Sequence, residues 1–226
     1  VLELGGSNAL VVFKDANIQE TVKTCIQARF QNTGQSCIAG KRLILDESIA
    51  EKFLELFLKQ AKELKSGDPM DENTYIGVMA REDLAKDLED QVQQSVKAGA
   101  KIILGGKRNG TYFEPTIIKG VTPEMAVFKE ETFGPVLSVT TFKNEKEAIQ
   151  LVNTSSFGLG VSVFTQDIEH VAELMPEFED GAVFINELVK SDPRLPFGGT
   201  KTSGYGRELS IHGIREFVNI KTVYFK

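Results

Sequence analysis

Strand-like and helix-like stretches alternate along this chain, and that alternation limits its fold more than any other feature. Short apolar runs at residues 10–13, 42–45, 102–104, 136–142, 161–164 and 182–185 read as strands. Between them, apolar residues recur at three- and four-residue spacing. Residues 17–30 carry Ile18, Val22, Cys25, Ile26 and Phe30 on one face, with Asn17 and Glu20 as a capping pair and Gly34 beyond the end. Ser48 and Glu51 form a capping-box pattern ahead of Ile49, Phe53, Leu56, Phe57, Ala61 and Leu64, in a helix stopping near Gly67. Further helices are expected at 82–98, closed by Gly99, and at 145–152, 168–175 and 208–217. Residues 218–225 read as a β-rich end. The order predicts an α/β fold: a mainly parallel sheet covered by helices on both faces.

A chain of 226 residues can bury a sizeable core in one large domain. Its net charge of −6 argues against a nucleic-acid partner. No apolar run reaches the roughly 20 residues of a membrane span, so no membrane association is expected. Cys25 and Cys37 are too few for a disulfide framework, which points to a reducing, cytoplasmic setting. The opening at Val1, without Met and in mid-strand, reads as a fragment boundary.

Cys37 lies in Gly34-Gln35-Ser36-Cys37-Ile38-Ala39-Gly40, between a helix end and a strand. A loop thiol of this kind can meet a ligand, and as a thiolate it is a strong nucleophile. Taken alone, the segment equally fits a small buried residue. Cys25 falls on the apolar helix face and reads as core. Glu3 beside Leu4-Gly5-Gly6 is either a surface carboxylate or a general base reaching a ligand past a thin backbone wall. Glu130 and Glu131 precede Thr132-Phe133-Gly134-Pro135, and an isolated acidic pair is usually solvated. The glycines of Pro196-Phe197-Gly198-Gly199 and Ser203-Gly204-Tyr205-Gly206-Arg207-Glu208 build turns or a close approach to a ligand. His170 and His212 fall in helices, and with two Cys they show no metal-ligand spacing, so no metal is expected.

Taken in order, Glu3-Leu4-Gly5-Gly6, Gly34-Gln35-Ser36-Cys37, Glu131-Thr132-Phe133-Gly134-Pro135, Phe157-Gly158-Leu159-Gly160 and Pro196-Phe197-Gly198-Gly199 resemble the aldehyde dehydrogenase superfamily. The separation of 34 positions between Glu3 and Cys37 agrees with that pattern. The resemblance implies that Cys37 attacks an aldehyde carbonyl, Glu3 activates the hydrolytic water, and Glu208 helps relay protons or order the site. It implies that Glu131 bonds the nicotinamide-side ribose of NAD or NADP and that Phe133 packs near the nicotinamide. The stretch from Val189 to Gly199 is similar to bacterial succinate-semialdehyde dehydrogenases. That likeness implies substrate contacts from Ser191 and Phe197. The family's second oxyanion donor, dinucleotide turn and usual carboxylate-binding Arg are absent from these residues. The implied organisation is a catalytic domain over residues 1–217 and an oligomerisation strand over 218–226, in a homodimer or homotetramer. Most of the cofactor-binding half is then expected upstream of residue 1, and the isolated chain is expected to be inactive and to bind cofactor weakly. A general aliphatic aldehyde, or a non-catalytic structural role, are the rival readings.

Overall fold

The computed structural model describes residues 1–226. Seven strands build the central sheet: β1 (Asn8–Val12), β2 (Gly40–Asp46), β3 (Lys101–Leu104), β4 (Thr116–Lys119), β5 (Val136–Phe142), β6 (Val161–Phe164) and β7 (Val183–Ile185). Their spatial order is β7-β6-β1-β2-β5-β4-β3. Every neighbouring pair is parallel except β3 with β4. This is the expected helix-covered α/β sheet, with one antiparallel edge strand.

The period-2 alternation of strands divides the core in two. In β1, Ala9 and Val11 join the cluster that holds Leu88, Val92 and Val152. Leu10 and Val12 face the other way, into the cluster with Val22, Cys25, Phe53 and Phe57. Helices α1 (Ile18–Phe30) and α2 (Ala50–Lys62) therefore cover one face. Helices α3 (Glu82–Lys97), α4 (Ala126–Lys129), α5 (Glu145–Asn153) and α6 (Ile168–Leu174) supply the other. All five residues of β1 are buried, as a central parallel strand requires. Asn17 caps α1 as expected, its side chain accepting from the Glu20 N–H at 3.3 Å.

Five local readings need correction. Ser48 does not cap α2: its N–H and hydroxyl both bond Asp46 Oδ1, at 2.9 and 2.5 Å, so the strand-end carboxylate captures it first. That helix also ends at Lys62, short of Gly67. Strand β4 escapes notice because Glu114-Pro115 punctuate its start and only four residues follow. The last helix, α7, contracts to Ser210–Arg215, since Leu209 ahead of it and Ser210 at its first position take positive φ of 60° and 48°. Residues 218–226 form no strand in this chain. A strand needs a partner ladder, and here Ile220, Tyr224 and Phe225 stay exposed. No helix is long and apolar enough to cross a membrane.

Two short ladders lie just ahead of β1 and β6 in the chain. Leu2–Glu3 pairs antiparallel with Gly204–Tyr205, and Phe157–Gly158 with Thr200–Lys201. These ladders bring the first residues to the glycine-rich 197–206 segment.

Candidate active site

Cys37 sits on the turn between α1 and β2. The turn begins with three left-handed residues, Asn32, Thr33 and Gly34, at φ 52°, 56° and 70°. The two non-glycine positions cost about 1–2 kcal/mol each, so neighbouring structure must hold them. Thr33 Oγ1 accepts from Gly77 N–H at 3.0 Å. Asn32 Nδ2 donates to Gln35 O at 2.8 Å, and Gln35 Oε1 accepts from Ala80 N–H at 2.8 Å. Arg29, at the end of α1 and wholly buried, donates to Gly34 O at 2.7 Å, Gly40 O at 3.3 Å and Gly134 O at 2.5 Å.

The thiol side of the turn is half-buried and packs beside the Leu159, Val189 and Phe197 cluster, together with Ile38, Phe184 and Leu209. Asn8 ties this wall together. Its amide donates to Ile38 O at 3.1 Å and accepts from Gly160 N–H at 3.2 Å. The Cys37 backbone N–H has no protein acceptor, so it is free to donate to a ligand. Cys25 is fully buried, and burial pushes its thiol far above the usual range.

Lys41 runs under the turn. Its ammonium donates to Ser36 O at 2.8 Å, Cys37 O at 2.9 Å and Glu131 Oε1 at 2.8 Å. Its side chain is entirely hidden, while that of Glu131 is 20% exposed. Burial pushes Lys41 down to about 8, against the pull of Glu131. Glu131 Oε1 also accepts from Gly6 N–H at 3.2 Å. Gly5, at φ 107°, lies against the same carboxylate, and its backbone conformation strains any residue with a side chain there. Phe133 is exposed, with the Lys41 ammonium 5.8 Å from its ring centre.

Glu3 lies on the two-residue ladder opposite Gly204 and is exposed. Its carboxyl is raised above the usual range, first by desolvation and then by the like charge of Glu208, while Arg207 pulls it down. Glu208 exchanges backbone hydrogen bonds with Phe197 at 2.7 and 2.9 Å. Cys37 and Phe197 thus meet at one cluster, and Glu3 and Glu208 are electrostatic neighbours. Glu131 and Phe133 border the Lys41 side of the turn. Ser191 stands exposed on the 190–196 loop, whose charges pair locally as Lys190 with Glu187 and Arg194 with Asp192. His170 pairs with Glu145 at 2.5 Å in the helical layer. A surface hollow runs between α1 and α2, past Lys14, Lys52 and Lys59, and shares no residue with the Cys37 turn.

Sequence reasoning misses Arg29, Lys41 and Asn8. One signal was available: Lys41-Arg42 enter a strand that continues Leu43-Ile44-Leu45, and adjacent cations on a buried strand need a reason. Arg42 serves the scaffold, donating to Ser7 O at 2.8 Å and Leu151 O at 2.9 Å.

Residues 1–223 match the aldehyde dehydrogenase family. A succinate semialdehyde dehydrogenase [NAD(P)+] of Escherichia coli is 47% identical over 99% of this chain and 49% of its own length. A probable NADP(+)-type succinate-semialdehyde dehydrogenase of Synechocystis is also 47% identical, over 99% of this chain and 50% of its own. The crystal structure of a succinate-semialdehyde dehydrogenase from Burkholderia pseudomallei superposes with a TM-score of 0.94 at 36% identity, covering 98% of this chain and 46% of that one. The chain spans about half the length of the curated relatives it matches. With residues 1–223 matching as a unit and relatives at these identities, this chain belongs to the aldehyde dehydrogenase family.

Proposed function

We propose that this chain is the catalytic half of an NAD(P)-dependent aldehyde dehydrogenase that oxidises succinate semialdehyde to succinate through Cys37. The observation that carries the reading is the setting of Cys37: a half-buried thiol on a turn braced by Arg29, Gln35 and Lys41, with its own N–H free. The Cys37 thiolate adds to the aldehyde carbon, and the resulting oxyanion accepts the Cys37 N–H. When bound, NAD or NADP supplies the acceptor for the hydride that leaves the Cys37-bound carbon. Cys37 then holds the acyl group as a thioester. Glu3 takes a proton from water as that water adds, the carbonyl re-forms, and the thiolate departs with the acid released. The raised Glu3 carboxyl suits a base, and Glu208 beside it suits a relay partner.

The residues present fit the nicotinamide-ribose end of the cofactor. Glu131 keeps part of its carboxylate exposed for hydroxyl donors, and Phe133 offers an open aromatic face. No residue of this chain is assigned to the pyrophosphate or adenosine end. The succinate-semialdehyde names of the relatives support the substrate, with Ser191 toward the distal carboxylate and Phe197 lining the thiol side. The exposed apolar 218–226 segment supports assembly as a homodimer or homotetramer, and two free cysteines support a cytoplasmic setting.

The test is Cys37→Ala in the full-length protein, followed by the appearance of reduced nicotinamide with succinate semialdehyde or butanal. Loss of turnover with an intact fold is expected, as is a higher kcat/KM for succinate semialdehyde in the parent. A variant that keeps most of its turnover refutes the nucleophile, and equal kcat/KM values refute the substrate.

A further inference from the structure

We propose that Lys41 is a positioning residue that couples Glu131, the carboxylate on the cofactor side, to the turn carrying Cys37. The inference rests on the functional reading above and concerns a contact that reading does not use. An ammonium has three donors, and Lys41 spends all three: on Ser36 O, Cys37 O and Glu131 Oε1, at 2.8, 2.9 and 2.8 Å. Its side chain has no exposed surface, so it cannot exchange these acceptors for water.

A second buried cation shows what a purely structural clamp looks like here. Arg29 takes the outer carbonyls of the same turn, Gly34 O and Gly40 O, and anchors them to Gly134 O. All of its acceptors are backbone carbonyls. Lys41 differs, because one of its acceptors is an ionised side chain that is itself partly open to solvent. A ligand hydroxyl that bonds Glu131 therefore competes for the charge that Lys41 neutralises. The same ammonium holds the carbonyl of the nucleophile residue itself, so a change at Glu131 reaches Cys37 through one side chain. Other charged groups acting on Lys41 are Arg29, which opposes its charge, and Cys37, which favours it.

The experiment uses the full-length enzyme with Lys41→Met, Lys41→Arg, Glu131→Gln and the Lys41→Met/Glu131→Gln pair. Two quantities are read: the dissociation constant of NAD or NADP by fluorescence titration, and the rate of Cys37 alkylation by iodoacetamide with and without saturating cofactor. In the parent, cofactor should change the alkylation rate several-fold. In Lys41→Met that response should vanish, and cofactor should bind about tenfold more weakly, the loss expected for one charge-assisted hydrogen bond. Glu131→Gln keeps the shape but removes the charge, and it should lower the response even at saturating cofactor; if Lys41→Met folds poorly, Lys41→Arg, which should keep only part of the response at saturating cofactor, carries the test. The double variant should bind cofactor no worse than the weaker single one. A merely structural Lys41 lowers the melting temperature while the response to cofactor persists; that result overturns the proposal. Separately, if the parent neither binds cofactor nor loses turnover on alkylation, the functional reading itself falls and takes this inference with it.

Discussion

The backbone of Gly6 lies against the carbonyl of Cys37: a Cβ on Gly6 would stand 2.8 Å from Cys37 O and 3.0 Å from Leu159 Cβ. The Gly6 N–H meanwhile bonds Glu131 Oε1 at 3.2 Å. One residue without a side chain thus touches both the Cys37 turn and the Glu131 carboxylate. The Leu4-Gly5-Gly6 wall is thin because both glycines have neighbours where a side chain would go.

Gly6→Ala should therefore displace Cys37 rather than merely crowd a core. Overpacking of this kind costs about 1–3 kcal/mol, and chemical denaturation of the full-length protein should read that loss. Turnover should fall by more than the stability loss explains, because the displaced atom belongs to Cys37, the proposed nucleophile. Full activity in a stable Gly6→Ala protein contradicts the close approach.

Glu3→Gln should slow thioester hydrolysis while leaving acylation of Cys37 intact. A positioned base is worth about 10²–10⁴ in rate. Stopped-flow measurement should show a full burst of reduced nicotinamide followed by a depressed steady rate. In the parent, the steady rate should fall as pH drops through the Glu3 titration, which desolvation and Glu208 place above the usual carboxylate range. The sign follows from the chemistry: only the ionised carboxylate accepts a proton. Disappearance of the burst with an unchanged steady rate would remove Glu3 from the role of base.

Arg29→Met should destabilise the fold. The substitution removes the donors for Gly34 O, Gly40 O and Gly134 O, all in a region closed to water. Unsatisfied buried acceptors cost about 1–3 kcal/mol each, so a total on the order of 3 kcal/mol is expected after partial relaxation. Urea unfolding followed by circular dichroism measures it. A loss under about 0.5 kcal/mol, typical of surface changes, means that the turn is held by other groups.

The 226 residues alone should fold yet bind NAD or NADP weakly, since they offer Glu131 and Phe133 but no assigned phosphate cradle. Calorimetric titration of the isolated chain is the check. Tight, saturable binding would show that this chain holds the whole dinucleotide site.

How much was legible beforehand varies by element. Strands β5 and β6 are readable to the residue, because continuous β-branched and apolar runs on a doubly covered sheet leave little choice. Strand β4 is not, since four residues behind a proline carry too little pattern, and its antiparallel neighbour β3 is a tertiary matter. The end segment fails for the opposite reason. Residues 218–225 have strand composition, yet composition cannot supply the ladder that a strand needs.

The site divides the same way. Local sequence determined that Cys37 would stand on a glycine-flanked turn and Cys25 on an apolar helix face, because helix period and glycine conformation act over a few residues. It determined the family through motifs whose order survives without coordinates. Only the tertiary structure decided what holds the thiol turn. Arg29 reaches Gly134 across 105 positions, Lys41 reaches Glu131 across 90, and Gly6 reaches Glu131 across 125. Such contacts leave no trace in spacing or periodicity. They exist because the sheet order sets β1, β2 and β5 side by side, so that groups remote along the chain share one buried volume and must satisfy each other there.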